Sequence, residues 1–176
     1  MKKTSIALIL CFSLTSAALA QNETQSTRGV SPIAKGQAQL NLGLGFSNWG
    51  LPVYLGFDYG VHKDVTLGAE LSFRSYNERF DNQRYNHSVF GISGNVNYHF
   101  NSLLNISPKW DLYAGLNIGF YHWNSSNNYP GRYNSGLGLG LQVGGRYYFT
   151  DRFGLNLEIG GGNAFSGGKL GISLKL

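Results

Sequence analysis

From Gly36 to the last residue, apolar and polar side chains alternate with a period of two, the pattern of strands whose two faces meet different surroundings. Eight segments carry it: QAQLNLGLGF (37–46), PVYLGFDYGV (52–61), VTLGAELSFR (65–74), SVFGISGNVNYHF (88–100), WDLYAGLNIGF (110–120), GLGLGLQVGGRYYF (136–149), FGLNLEIGG (153–161) and GKLGISLKL (168–176). The connections alternate in length. HKD, NSLLNISPK and TDR follow the even strands, while longer polar loops, 74–87 and 121–135, follow strands three and five. Short turns at one end and longer loops at the other are the habit of barrels that cross a membrane.

The position of the charges decides between two architectures. One face of the eight segments reads Leu40, Leu42, Leu55, Phe57, Leu71, Ile92, Leu116, Leu141, Leu157 and Ile172 and carries no charge. The other holds Asp58, Glu70, Arg74, Asp111, Arg146, Glu158, Lys169 and Lys175 among Asn, Gln, Ser and Gly. In a soluble lipocalin-like barrel the apolar face lines a cavity and the polar face meets water; in a membrane barrel the assignment is reversed. Four acids against four bases on a glycine-rich face fit a narrow lumen, where buried charges must pair. Aromatic residues gather at both strand ends: Tyr59, Tyr98, Phe100, Trp110, Tyr147, Phe149 and Phe153 by the short turns, and Phe46, Trp49, Phe73, Tyr76, Phe90, Phe120, Tyr121 and Trp123 opposite. Two such belts, separated by strands of about ten residues, match a bilayer crossed by tilted strands. The expected fold is all-β, a closed eight-stranded antiparallel transmembrane β-barrel over residues 36–176. Closure is required because an open edge in hydrocarbon leaves backbone groups unpaired, and a closed barrel has no edge that calls for a partner, so a monomer is expected.

The first twenty residues read as an export signal. Lys2 and Lys3 precede the apolar Ile6 to Phe12, and Ala18-Leu19-Ala20 supplies a small-x-small cleavage site before Gln21. The one cysteine, Cys11, lies inside that signal, so the mature chain has none, and its formal charge falls from +5 to +3 without the two lysines. That charge is too small and scattered for nucleic acid, and the four histidines, His62, His87, His99 and His122, are too dispersed for a metal site. No cofactor is expected. Residues 21–35, QNETQSTRGVSPIAK, show no apolar face and read as a flexible polar tail. Charged residues at 13% with 25 glycines and 14% aromatics exclude a disordered chain, and no later apolar run approaches the ~18 residues of a membrane helix.

The export signal, the eight alternating segments and the stretch GGRYYFTDRFGLNLEIG (144–160) resemble the small eight-stranded outer-membrane β-barrel proteins of the OmpX/OmpA transmembrane-domain type. The resemblance spans residues 36–176. It implies the outer membrane of a Gram-negative-type bacterium, a surround of lipid including lipopolysaccharide, and insertion by the barrel-assembly machinery; many members end on an aromatic where this chain ends on Leu176.

Within that frame the expected function is non-enzymatic: a barrel with a filled lumen whose loops serve envelope structure or adhesion and binding. Loops on a rigid scaffold are where binding residues collect, and Tyr76, Arg79, Arg84, Tyr85, Trp123, Tyr129, Arg132 and Tyr133 combine types enriched at binding hot spots. Two alternatives stay open. One is passive transport of small apolar molecules. The other is lipid A modification, for which the residue sets are His122 with Ser125 and Ser126, or His87 with Ser88 and Glu78. In the lumen, His99 and Asp111 share a side at the ends of the 101–109 turn, and Arg146 and Glu158 are expected as diagonal neighbours in an ion network.

Overall fold

The computed structural model describes residues 28–47, 50–80, 83–125, 134–163 and 166–176. Eight strands, β1 (Ala38–Ser47), β2 (Val53–His62), β3 (Val65–Phe80), β4 (Gln83–His99), β5 (Trp110–Ser125), β6 (Gly136–Tyr148), β7 (Phe153–Gly162) and β8 (Ser166–Lys175), each pair antiparallel with the next. β8 returns to β1, with Leu40 opposite Leu174 and Gly43 opposite Gly171, and the sheet closes. A single-turn helix, α1 (Asn101–Leu104), occupies the connection between β4 and β5 and stops at Asn105, whose φ of 49° is left-handed.

The alternating pattern resolves as the membrane assignment. Leu116 is 61% and Leu141 65% exposed on the outer surface, whereas Asp111 is fully buried inside. A soluble barrel with this sequence would hide the leucines and wet the aspartate. At the short-turn end the belt is made as expected by outward Tyr59, Tyr98, Tyr147, Phe149 and Phe153, with Trp110 packed on Tyr147 at 4.7 Å and Tyr98 on Phe100 at 5.2 Å. At the other end Phe46, Phe73, Phe90 and Phe120 face outward. Tyr76, Tyr121 and Trp123, placed in the same belt by proximity in sequence, instead lie on the inner face, because they share parity with the charged positions Arg74 and Asp111. Trp49 lies outside the described residues.

Two segments depart from the sequence reading. Residues 74–87 are not a loop: β3 and β4 run on in unbroken register through Tyr76–His87 and Glu78–Tyr85 to Phe80–Gln83, and β5 follows β4 as far as Ser125 opposite His87. Polar side chains conceal these extensions, since beyond the membrane neither face is lined with hydrocarbon and the alternation of hydrophobicity fades while the backbone pairing continues.

The second departure is the tail. Residues 28–35 are seated across the inner end of the barrel, with Ile33 fully buried and Ser31 nearly so. Gly29 N–H donates to the Ile106 carbonyl (3.0 Å), and just after the segment Gly36 N–H donates to the Gly60 carbonyl (2.8 Å) and Gly60 N–H to the Gln37 carbonyl (2.9 Å). Asn101 Nδ2 donates to the Val30 carbonyl at 3.4 Å. The segment escaped the period-based reading because it is a strap held by one apolar anchor and backbone bonds. Residues 21–27 and the expected export signal lie outside the described residues.

Strap and barrel approach closely at Gly60. A Cβ there would stand 2.1 Å from the Ala34 carbonyl oxygen, so only glycine fits. Gly60→Ala is therefore expected to unseat residues 28–36 while leaving the barrel closed: limited proteolysis in detergent micelles should cut the strap at least several-fold faster than in wild type. Unchanged cleavage would show that the strap is not held there.

Candidate functional site

The lumen is a stack of side chains from the charged face of all eight strands. Its inner layer is centred on Arg146 of β6, which is opposite Asp111 of β5 in register and reaches across the barrel to β2. Nη1 donates to Asp111 Oδ2 at 2.9 Å and Nη2 to Asp58 Oδ2 at 2.6 Å. His99 Nδ1 lies 2.6 Å from the other oxygen of Asp111, and His99 Nε2 lies 3.0 Å from Thr66 Oγ1. Asn41 Nδ2 donates to Asp58 at 2.9 Å and Gln39 Nε2 to Asn41 Oδ1 at 2.8 Å; the Tyr148 hydroxyl donates to Gln39. These residues are buried, and the charges among them share hydrogen bonds as burial demands.

A second charged layer lies farther out. Lys169 Nζ stands 2.8 Å from Glu70 Oε2 and 3.0 Å from Glu158 Oε1. Tyr113 joins the layers: its hydroxyl donates to Glu158 Oε2 at 2.9 Å, and the Arg146 guanidinium lies over its ring at 4.3 Å. The ring fits because Gly144 faces it, where a Cβ would stand 2.3 Å from the ring. Between the layers lies a polar gap with room for about one water molecule, lined by Asn41, Asp58, Asn97, Gln142, Arg146 and Lys169 among others. Beyond the outer layer the lumen continues as a narrow polar cup that opens outward past Arg74, Ser72 and Tyr121.

Of the eight expected lumenal residues, Asp58, Asp111 and Arg146 form the inner network, and Glu70, Glu158 and Lys169 the outer one. Arg146 and Glu158 are diagonal neighbours, since Arg146 is opposite Asn156 and Glu158 opposite Gly144, but they do not pair: Arg146 turns to the two aspartates, and Tyr113 stands between. Arg74 lies in the outer extension, 5.6 Å from the Trp123 ring, and Lys175 lies over the Tyr148 ring at the inner end, 4.4 Å away. Tyr54, Tyr113 and Tyr148, not named as lumenal from sequence, sit at the parity of the charges, which was the signal available for them.

The expected surface-binding residues separate into three groups. Arg79 and Arg84 are exposed on the outer side of the β3–β4 extension. Tyr76, Tyr85 and Trp123 belong instead to its inner wall: Tyr85 is buried, and Tyr76 packs at 5.1 Å against His87 and edge-on at 6.4 Å against Trp123. A loop leaves their direction open, whereas in the strands they occupy their parity turns them inward. Tyr129, Arg132 and Tyr133 lie outside the described residues. The two enzymatic sets are rearranged. His87 Nδ1 is 2.9 Å from Ser125 Oγ and Nε2 is 3.5 Å from Glu78, while Ser88 is on the opposite face; His122 is exposed and meets Ser135 at 3.2 Å, and Ser126 lies outside the described residues.

Removing Arg146 leaves Asp58 and Asp111 buried without their cation, a change that costs about 3–5 kcal/mol where one partner of a buried pair is deleted. Arg146→Met should therefore lower the urea midpoint of barrel unfolding sharply. Lys169→Met should cost less, because Glu70 and Glu158 border the open cup and can be hydrated. Equal midpoints for the two variants would contradict the layered lumen.

The chain matches the outer membrane protein beta-barrel domain over residues 4–174. No curated protein matches its sequence significantly. Among solved structures it is similar to the outer membrane protein OprG of Pseudomonas aeruginosa, at 9% identity and a TM-score of 0.61 over 88% of this chain and 99% of that one. It is also similar to the N-terminal β-barrel domain of OprF from the same organism, at 19% identity and 0.55 over 81% and 98%. The Yersinia pestis outer membrane protein Ail in a phospholipid bilayer nanodisc aligns at 12% and 0.51 over 81% and 100%. At such identities the solved structures speak for the fold, and the domain match over nearly the whole chain speaks for the family. The chain belongs to the outer membrane protein beta-barrel domain family and resides in the outer membrane.

Proposed function

We propose that this chain is a non-enzymatic surface barrel, a monomer inserted by the barrel-assembly machinery and surrounded by lipid including lipopolysaccharide, whose outer extension binds or adheres. The observation that carries this reading is the contrast between the two ends of the molecule. The inner layer of the lumen is filled by paired charges, so the barrel is a rigid support and not an aqueous pore. β3, β4 and β5, at 16, 17 and 16 residues, continue well past the ten residues of β1, β2, β7 and β8. A sheet raised beyond the bilayer with polar faces serves no need of the membrane span. The His87, Ser125 and Glu78 cluster reads as part of the wall of that extension, because the imidazole is fully buried and stacked on Tyr76.

The test is to replace residues 77–86 by an Asn-Gly turn, which joins antiparallel strands at Tyr76 and His87 without disturbing the span. Bacteria displaying the shortened barrel should attach to matrix-coated polystyrene several-fold less than those displaying wild type, with both proteins retaining the heat-modifiable fold, and neither should show conductance steps in planar bilayers. Equal attachment would remove the adhesive reading; steady conductance would remove the sealed lumen.

A second reading, passage of small apolar molecules, is supported by one observation. The outer cup and an apolar groove on the lipid-facing surface share Asn95, Asn117, Leu139, Gly140 and Gly161, so at that place the wall is one strand layer with two glycines in it. If molecules cross there, Gly161→Trp should slow naphthalene uptake by proteoliposomes; identical rates with and without the protein would end that reading.

A further inference from the structure

The exposed side of the outer extension presents an arrangement that its inner wall does not explain. Arg79 of β3 and Arg84 of β4 are direct cross-strand partners, which sets their Cβ atoms about 5 Å apart. Both are exposed. Like charges directly opposite one another destabilise a strand pair, and among the described residues no acid on the same face offsets these two. The next pair toward the membrane is Asn77 opposite Asn86, followed by Ser75 opposite Ser88 with Asn124 of β5 beside it. Among the described residues of the extension the one acid is Glu78, which is turned to the opposite face and lies 3.5 Å from His87. Neither arginine side chain has an ion pair or hydrogen bond to another described residue.

We infer that Arg79 and Arg84 form a clamp for the phosphate or sulfate groups of an anionic saccharide. A guanidinium presents a planar fork that meets such groups with two parallel hydrogen bonds, and two forks side by side on a twisted ribbon suit an anion held between them or two anions on neighbouring sugars. An oxyanion there turns a repulsive pair into an attractive triplet. The amide of Asn77, directly below, can donate to and accept from sugar hydroxyls. Height narrows the ligand further. The outward rings of Phe73 and Phe90, opposite each other in the same ladder, mark the edge of the hydrocarbon, and Arg79 is six residues farther along β3. At about 3.3 Å per residue and a tilt of about 40°, that is about 15 Å above the rings, in the layer of saccharide chains and beyond the lipid headgroups. This inference rests on the reading of the extension as a binding element and names its ligand class.

The test uses the full barrel in phosphatidylcholine nanodiscs with dextran sulfate as the probe and neutral dextran as the control. Wild type should bind dextran sulfate and not dextran, and raising salt from about 0.05 to 0.3 M should weaken binding. Arg79→Ala/Arg84→Ala should raise the Kd by about tenfold or more, and Arg79→Lys/Arg84→Lys, which keeps charge and loses the fork, should fall between. The inference is overturned if wild type does not bind dextran sulfate, or if the double alanine variant binds it as wild type does while keeping its heat-modifiable fold. Discs that contain lipopolysaccharide identify the source: loss of dextran sulfate binding marks the leaflet's own saccharide as the occupant, and undiminished binding marks a polymer from outside. Should the Asn-Gly hairpin lose attachment while the double alanine variant binds normally, the clamp falls and the adhesive reading stands. Should attachment be insensitive to the hairpin while the clamp binds dextran sulfate, the reverse holds.

Discussion

The backbone pairing of β1 with β8 is the constraint on which the other features rest. In hydrocarbon an unpaired N–H or C=O has no water to turn to, so the sheet must close or not insert. Closing eight strands fixes a circumference too small for a water-filled channel and large enough for side chains. From that single geometric fact comes the need for residues such as Arg146, Asp58 and Asp111, which fill the bore and, with His99 and Asn41, satisfy one another. The same fact sets the glycine pattern. Tyr113 can lie across the bore only because Gly144 faces it.

The lumen and the outer extension divide the work between them. Inside the span, charge is paired and geometry is held by hydrogen bonds that reach across the barrel, as Tyr54 does to Asn156 at 2.7 Å and Gln142 does to Asn97 at 2.7 Å. Outside it, Arg79 and Arg84 stand opposite each other on a ribbon that continues the barrel's sheet. A filled bore gives the ribbon a stiff base, and the ribbon gives the barrel a surface that the bilayer does not cover.

How much of this was legible in the sequence depends on whether hydrocarbon was present to write the pattern. Where a strand has lipid on one side and the lumen on the other, alternation is strict, and the eight spans, the outward leucines and the inward charges can all be read from parity. The inward tyrosines were equally readable, since Tyr54, Tyr113 and Tyr148 share the parity of Asp58, Asp111 and Arg146. Beyond the bilayer the signal fades. Residues 74–87 are polar on both faces, so strand and loop look alike, and the orientation of Tyr76, Tyr85 and Trp123 could not be had without knowing that the ladder continues. The strap failed for a different reason: its attachment rests on backbone bonds and on Ile33 alone, and a single buried apolar residue makes no period. The partners of Arg146 were undetermined because parity says which side chains share the bore and not which of several carboxylates a long arginine will reach.

One consequence follows from the way the chain closes on itself. Leu176 N–H donates to the Ala38 carbonyl at 2.9 Å, so the last residue and the first residue of the barrel are neighbours at the inner end, and the sheet has no natural beginning. Rejoining the chain there and opening it at the tip of an outer hairpin would preserve every strand pair and the whole lumenal stack, though the strap would then need a new point of entry. The order of strands along the chain is therefore one of several ways to write the same cylinder, and what singles out this one is the strap, which leads directly into β1.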